Sequence, residues 1–262
     1  MTKNPWMTYS SAGFMILVAL RVWAQPSVLK DLKSPDWAVR AKAVNTVVKT
    51  PALLASPEVR AALIGVVELE NKIIETSFRA GHGVSNEFGE GYSEYYSGPL
   101  TDAVVEFAEE GDDRAAIALA RGSYNPDSKL ALILASYGEP LVSTMVEVAS
   151  SDIGPKRWNG VAVLGNMLRL QRSGKLRQPL TAVSAEAARR TIQRVALNDP
   201  ETSARREAVR ALGAAGEKES LPVLEAIAAT DPDDGRGHKT KIDFSVRAEA
   251  RRAIAAIQAI KQ

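Results

Sequence analysis

The chain contains no cysteine in 262 residues and only two histidines, His82 and His238. Disulfides, thiolate metal sites and lipid attachment through cysteine are therefore excluded. The two histidines lie far apart among glycines, so no His-based ligand set for a transition metal can be assembled. Net charge is also nearly missing, with 33 Lys and Arg against 31 Asp and Glu. That balance removes any global attraction to nucleic acid or anionic lipid. Aromatic residues amount to only 6%. Phosphate-cradling glycine loops, Gly-x-Ser-x-Gly and Ser-x-x-Lys with its partner motifs do not occur. The sequence offers no catalytic residue, no metal site and no cofactor site, and a non-enzymatic protein is expected.

What is present is apolar and helix-forming. Hydrophobic residues make up 45% of the chain and charged residues 24%, enough to bury a continuous core while staying soluble. Ala, Leu and Val fill the periodic positions, which favours helices throughout. Residues 1–24 read as a signal peptide: Lys3 precedes an apolar run from Ala12 to Leu20, and Val22-Trp23-Ala24 suits cleavage before Gln25. A periplasmic or secreted location is expected. The alternative is an uncleaved anchor at 12–20, although that run is short for a membrane span. Cleavage would leave no net charge and no membrane span in the mature chain.

One phrase repeats. Ser203-Ala204-Arg205-Arg206-Glu207-Ala208-Val209-Arg210-Ala211-Leu212-Gly213 returns 42 residues later from Ser245 to Ala255, and Lys156 to Gly165 carries the same frame 48 residues earlier. Ala38 to Val44 is a further copy. A period of roughly 40–47 residues with two helices per unit marks a helical solenoid. Ser34-Pro35-Asp36 and Ser56-Pro57-Glu58 carry helix-start chemistry, and Trp37, Ala41, Val44 and Val48 form an apolar stripe. Later helices are expected from Leu100 to Glu110, from Asp113 to Ala120, from a start at Pro126-Asp127-Ser128 through Tyr137, from an opening at Gly138-Glu139-Pro140-Leu141 through Val148, from about Ser184 to Leu197 and from about Ser245 to Ile260. Gly216 ends another, as glycine commonly does. Ala80 to Pro99 breaks the rhythm with five glycines, and no stable helix is expected there.

The frame Asp199-Pro200 followed by Ala204 to Gly213 resembles HEAT repeats, especially the short bacterial form also found in phycobilisome lyases. The likeness is strongest over Asp199 to Ala229 and poor over Ala80 to Gly122. It implies an all-α, right-handed α-solenoid of about five to six helix pairs over 25–262, with an irregular insertion at about 80–99. It also implies a scaffold that binds a protein or peptide on its concave face. A bilin-handling lyase is the alternative, and a nucleic-acid binder using Lys156 to Arg210 a more distant one; nucleic acid is not an expected partner. The His–Glu pairs of the HEAT-type di-iron enzyme deoxyhypusine hydroxylase are absent.

Two residue sets stand out against this frame. Arg40, Arg157, Arg205 and Arg247 recur at one place in the repeat, where an Arg in HEAT-like stacks pairs with an acid or carbonyl of an adjacent turn; a structural ladder is expected. Tyr92, Tyr95 and Tyr96 of the insertion offer contact area with a polar tip and, with Trp158, are the candidate binding residues. Asp231-Pro232-Asp233-Asp234-Gly235 opens like a calcium loop, but Gly235 and Ile242 stand where that loop needs ligands. It reads as a polar turn between repeats.

Overall fold

Short apolar stripes separated by Pro- and Gly-marked turns give helices, and a computed structural model shows them stacked in file. It describes residues 26–82, 90–122, 128–234 and 245–260. The expected export segment at 1–24 and His238 lie outside the described residues. Residues 26–32 are helical. Thirteen further α-helices follow among the described residues: α1 (Trp37–Val48), α2 (Pro51–Leu54), α3 (Pro57–Arg79), α4 (Glu90–Tyr95), α5 (Thr101–Glu110), α6 (Asp113–Arg121), α7 (Ser128–Tyr137), α8 (Glu139–Val148), α9 (Gly154–Arg172), α10 (Ala182–Asn198), α11 (Thr202–Ala215), α12 (Leu221–Thr230) and α13 (Val246–Ala259). Asp36, Asp112, Thr181 and Ser245 cap α1, α6, α10 and α13 by accepting from first-turn N–H groups. Gly111 and Gly216 close α5 and α11 in the left-handed conformation.

No helix here can cover its own apolar stripe, so neighbours do it. The helices pack in sequential pairs that form two rows, consistent with a HEAT-repeat solenoid. The first row runs α1, α5, α7, α9, α11, α13 and the second α3, α6, α8, α10, α12, each helix from α5 on touching the next in the first row and each helix touching the next in the second. Between α1 and α5 the first row passes through a π-turn at Tyr96–Leu100. Each fully buried Leu, Val or Met, such as Leu164, Val209 or Met167, contributes about 1.5–3 kcal/mol.

Glycine sets the spacing of the first row where the repeat frame is clearest. A Cβ at Gly165 would lie 2.6 Å from the Ala211 Cβ, and one at Gly213 would lie 2.8 Å from the Ala253 Cβ. Ala211 and Ala253 are one repeat apart, so the same close approach recurs between α9 and α11 and between α11 and α13.

The insertion differs from expectation. Residues 90–100, expected to be irregular, form α4 and the π-turn, which run into α5. Tertiary burial overrides propensity here, because Tyr92 and Leu100 are fully covered. Two of the five glycines fall where helix tolerates them or has already broken. Gly91 stands in the first turn of α4, and Gly98 sits at a kink with non-helical backbone before Pro99.

Candidate functional site

The residues singled out in the sequence fall into two interior clusters. At the N-terminal end, Glu70 projects from α3 and is fully buried. Arg40 of α1 donates from Nε to Glu70 Oε1 at 2.6 Å and from Nη1 to the carbonyls of Ser34 and Pro35 at 2.7 and 2.9 Å. Tyr92 donates its hydroxyl to Glu70 Oε2 at 2.6 Å, and Tyr95 to Oε1 at 3.2 Å. Trp37 closes the box, edge-on to Tyr92 at 5.6 Å between ring centres and stacked with Tyr95 at 6.3 Å. Tyr96 reaches elsewhere, donating to Asn71 Oδ1 at 2.7 Å, while Asn71 donates to the Ala118 carbonyl.

These hydroxyls are therefore inside the stack, and the rings of Tyr92 and Tyr95 do not form the open contact surface expected from the sequence. The reason is the partner, since a buried carboxylate needs donors, and Glu70 takes them from Arg40 and two phenols. Burial first, and Glu70 second, push the Tyr92 hydroxyl far above the ordinary tyrosine range; Tyr95 and Tyr96 are raised by burial and by Glu70's charge. Trp158 is half-buried, packed on the core from the fifth position of α9.

The second cluster is a ladder. Arg157 grips Asp199 through Nε and Nη2 at 2.6 and 3.0 Å, and donates to the carbonyls of Ser151 and Asp152 at 3.2 and 3.0 Å. One repeat on, Arg205 grips Asp231 at 2.8 and 3.2 Å and donates to the Asp199 carbonyl at 3.0 Å. Arg247 then donates to the Asp231 carbonyl at 2.5 Å. Each of these Asp residues thus offers its carboxylate to the preceding Arg and its main-chain oxygen to its own. Arg40, Arg157 and Arg205 are each the fourth residue of their helix. The bidentate fork suits this geometry, and the Asp199 contact holds the Arg157 guanidinium above its usual range. Asp231, the start of the calcium-like stretch, is a ladder partner.

Sequence reading missed several members. Glu70 lies on the apolar stripe of α3 with Leu63, Val66, Val67 and Ile74, and an acid on such a stripe is the signal of a buried partner. Asp199 and Asp231 each precede a proline, a recurrence that marks them. Arg177 carried no signal. From the turn between α9 and α10 it stacks on Tyr137 at 4.5 Å and donates to the carbonyls of Ala108 and Glu109 at the end of α5. Nor did Lys156, buried against Glu75 of α3.

An open cleft of about 340 Å³ lies where α3 and α6 begin, lined by Ala55, Pro57, Arg60, Ile64, Asp112 and Arg114 among others. Arg60 is tied to Glu110 at 2.7 Å and lies 4.0 Å above the Phe107 ring. Among the described residues no group of three or more His, Cys, Asp or Glu side chains is placed to hold a metal ion. No helix among them is long and apolar enough to cross a membrane.

Residues 157–255 match HEAT repeats. The crystal structure of an engineered protein is similar over 89% of this chain and 98% of its own, at 13% identity and a TM-score of 0.39. No curated protein matches. The stretch that resembles HEAT repeats, residues 157–255, thus runs from the first gripped Asp–Arg pair into the last helix.

Proposed function

We propose that this chain is an exported, non-enzymatic scaffold that binds a protein or peptide along the exposed surface of its second helix row. The observation that supports this most is the use of the conspicuous side chains. Arg40, Arg157, Arg205, Glu70 and the ladder aspartates are engaged with one another inside the stack, which leaves recognition to the surface. HEAT repeats usually bind proteins. The second row presents Leu69 and Lys72 on α3, Glu147 on α8, and Arg194 and Leu197 on α10. Arg194 reaches Ser150 at 2.8 Å, so the exposed side chains of α8 and α10 belong to one surface. Leu69 and Leu197, 38% and 46% exposed, supply apolar anchors between charged neighbours.

Photo-crosslinking tests the surface. A crosslinking residue at Leu197 or Leu69 should trap a protein partner in cells, whereas one at Val39 of α1 should not. Equal adducts at all three positions would overturn the assignment. Export is tested separately: Gln25 as the first residue of the mature protein supports it, and an intact Met1 in a cytosolic fraction refutes it.

A further inference from the structure

The exposed face of the first helix row changes sign along the molecule. On α5, Asp102 and Glu106 are exposed and form no ion pair among the described residues. On α7, the next helix in the row, Leu132 is 42% exposed. A Glu109–Lys129 bridge of 3.1 Å joins the faces of α5 and α7. On α9, which follows, the guanidinium of half-buried Arg169 meets, among the described residues, the neutral Asn166 at 3.0 and 3.3 Å and no acid, and Arg172 is exposed. The order is acidic, apolar, basic.

The wider composition has the same polarity. Glu58 to Asp113 holds thirteen acids against three bases, and Lys156 to Arg210 holds twelve bases against four acids. Internal pairing removes charges from both stretches: Glu70, Glu75 and Glu110 are bridged on one side, Arg157, Arg189 and Arg205 on the other. Asp102 and Glu106 on α5, and Arg169 and Arg172 on α9, are left without an opposite charge among the described residues, on two helices of one row with α7 between them.

A face that is negative at one end and positive at the other complements itself under a two-fold axis. We propose that this face binds a second copy of the chain, antiparallel, with each α5 on the partner's α9 and α7 on α7. An isologous pair makes every such contact twice. A parallel pair would set acid on acid. A polyanion such as nucleic acid would meet the α9 end and be repelled by the α5 end. The attraction lies at an exposed surface, so it is screened by salt.

The test is sedimentation equilibrium of the chain as isolated from cells. A dimer is expected at about 50 mM salt, with association at least tenfold weaker at about 0.5 M. Glu106→Arg and Arg169→Glu should each weaken association at least tenfold, and the variant carrying both should recover it, because the reversed charges meet again across the axis. Leu132→Asp should weaken it as well. All three residues stay outside the core, and an unchanged helical circular dichroism spectrum checks each variant. A monomer at low salt, a dimer indifferent to salt, a double reversal no better than the singles, or a Leu132→Asp dimer of unchanged strength would each overturn the proposal.

Discussion

Arg205 is 7% exposed, at a depth where an unpaired cation costs several kcal/mol. Asp231 neutralises it, while the Asp199 and Pro200 carbonyls receive its remaining donors. Arg205→Ala leaves the Asp231 carboxylate, itself buried, with the Asp233 N–H but without its opposite charge, and should lower stability by about 3–5 kcal/mol in chemical denaturation. Replacing both partners together, Arg205→Met with Asp231→Leu, should lose less than either single change, since no buried charge then remains alone. The three insertion tyrosines give a pH dependence of definite sign. Their folded pKa values are raised. Above pH about 10 the unfolded chain therefore releases protons that the folded one retains. Their contribution is intact below that pH and is lost above it, by about 1.4 kcal/mol per pH unit for each tyrosine. Absorbance near 295 nm should show these hydroxyls ionising only as the helices melt. Ionisation of all the tyrosines near pH 10 with helicity intact would contradict the buried box.

At the scale of the helix, glycine separates propensity from packing. Gly65 in α3 has nothing within 4 Å of a built Cβ, so Gly65→Ala should stabilise by about 0.5–1 kcal/mol through helix propensity alone. Gly213→Ala gains the same preference but drives its Cβ to 2.8 Å from Ala253. Overpacking of this kind costs about 1–3 kcal/mol, and net destabilisation is expected in thermal melts of the two variants side by side. The repeat frame made α9, α11 and α13 legible, because Arg, Leu and Gly recur there at fixed offsets. Its arginines were legible for the same reason. Glu70 and its phenol donors were not, because they meet across 22 and 25 residues on segments that share no repeat. The helical nature of 90–100 is not legible in the sequence, because a glycine count weighs backbone entropy and not the burial of Tyr92. Arg177 was hidden in a turn whose sequence looks merely basic and solvated.

For the molecule as a whole, each unit is secured mainly by its neighbours in the row, so stability should be distributed and not all-or-none. Hydrogen exchange should find the longest protection in α9 and α11, which have row neighbours on both sides and fully buried Leu164, Met167 and Leu212. Earlier exchange is expected in α1 and α13 at the ends of the row. Identical protection in all of these helices would mean that the stack opens as one body. Arg177 alters that picture locally. The ladder links one unit to the next, but Arg177 runs from the turn after α9 back to the carbonyls that end α5, past the intervening pair α7 and α8. A file of units joined only to their neighbours stretches and bends like a coil spring. A brace across three of them stiffens that stretch, so elastic flexing falls on the joints beyond α10, where the last units carry no such strut among the described residues.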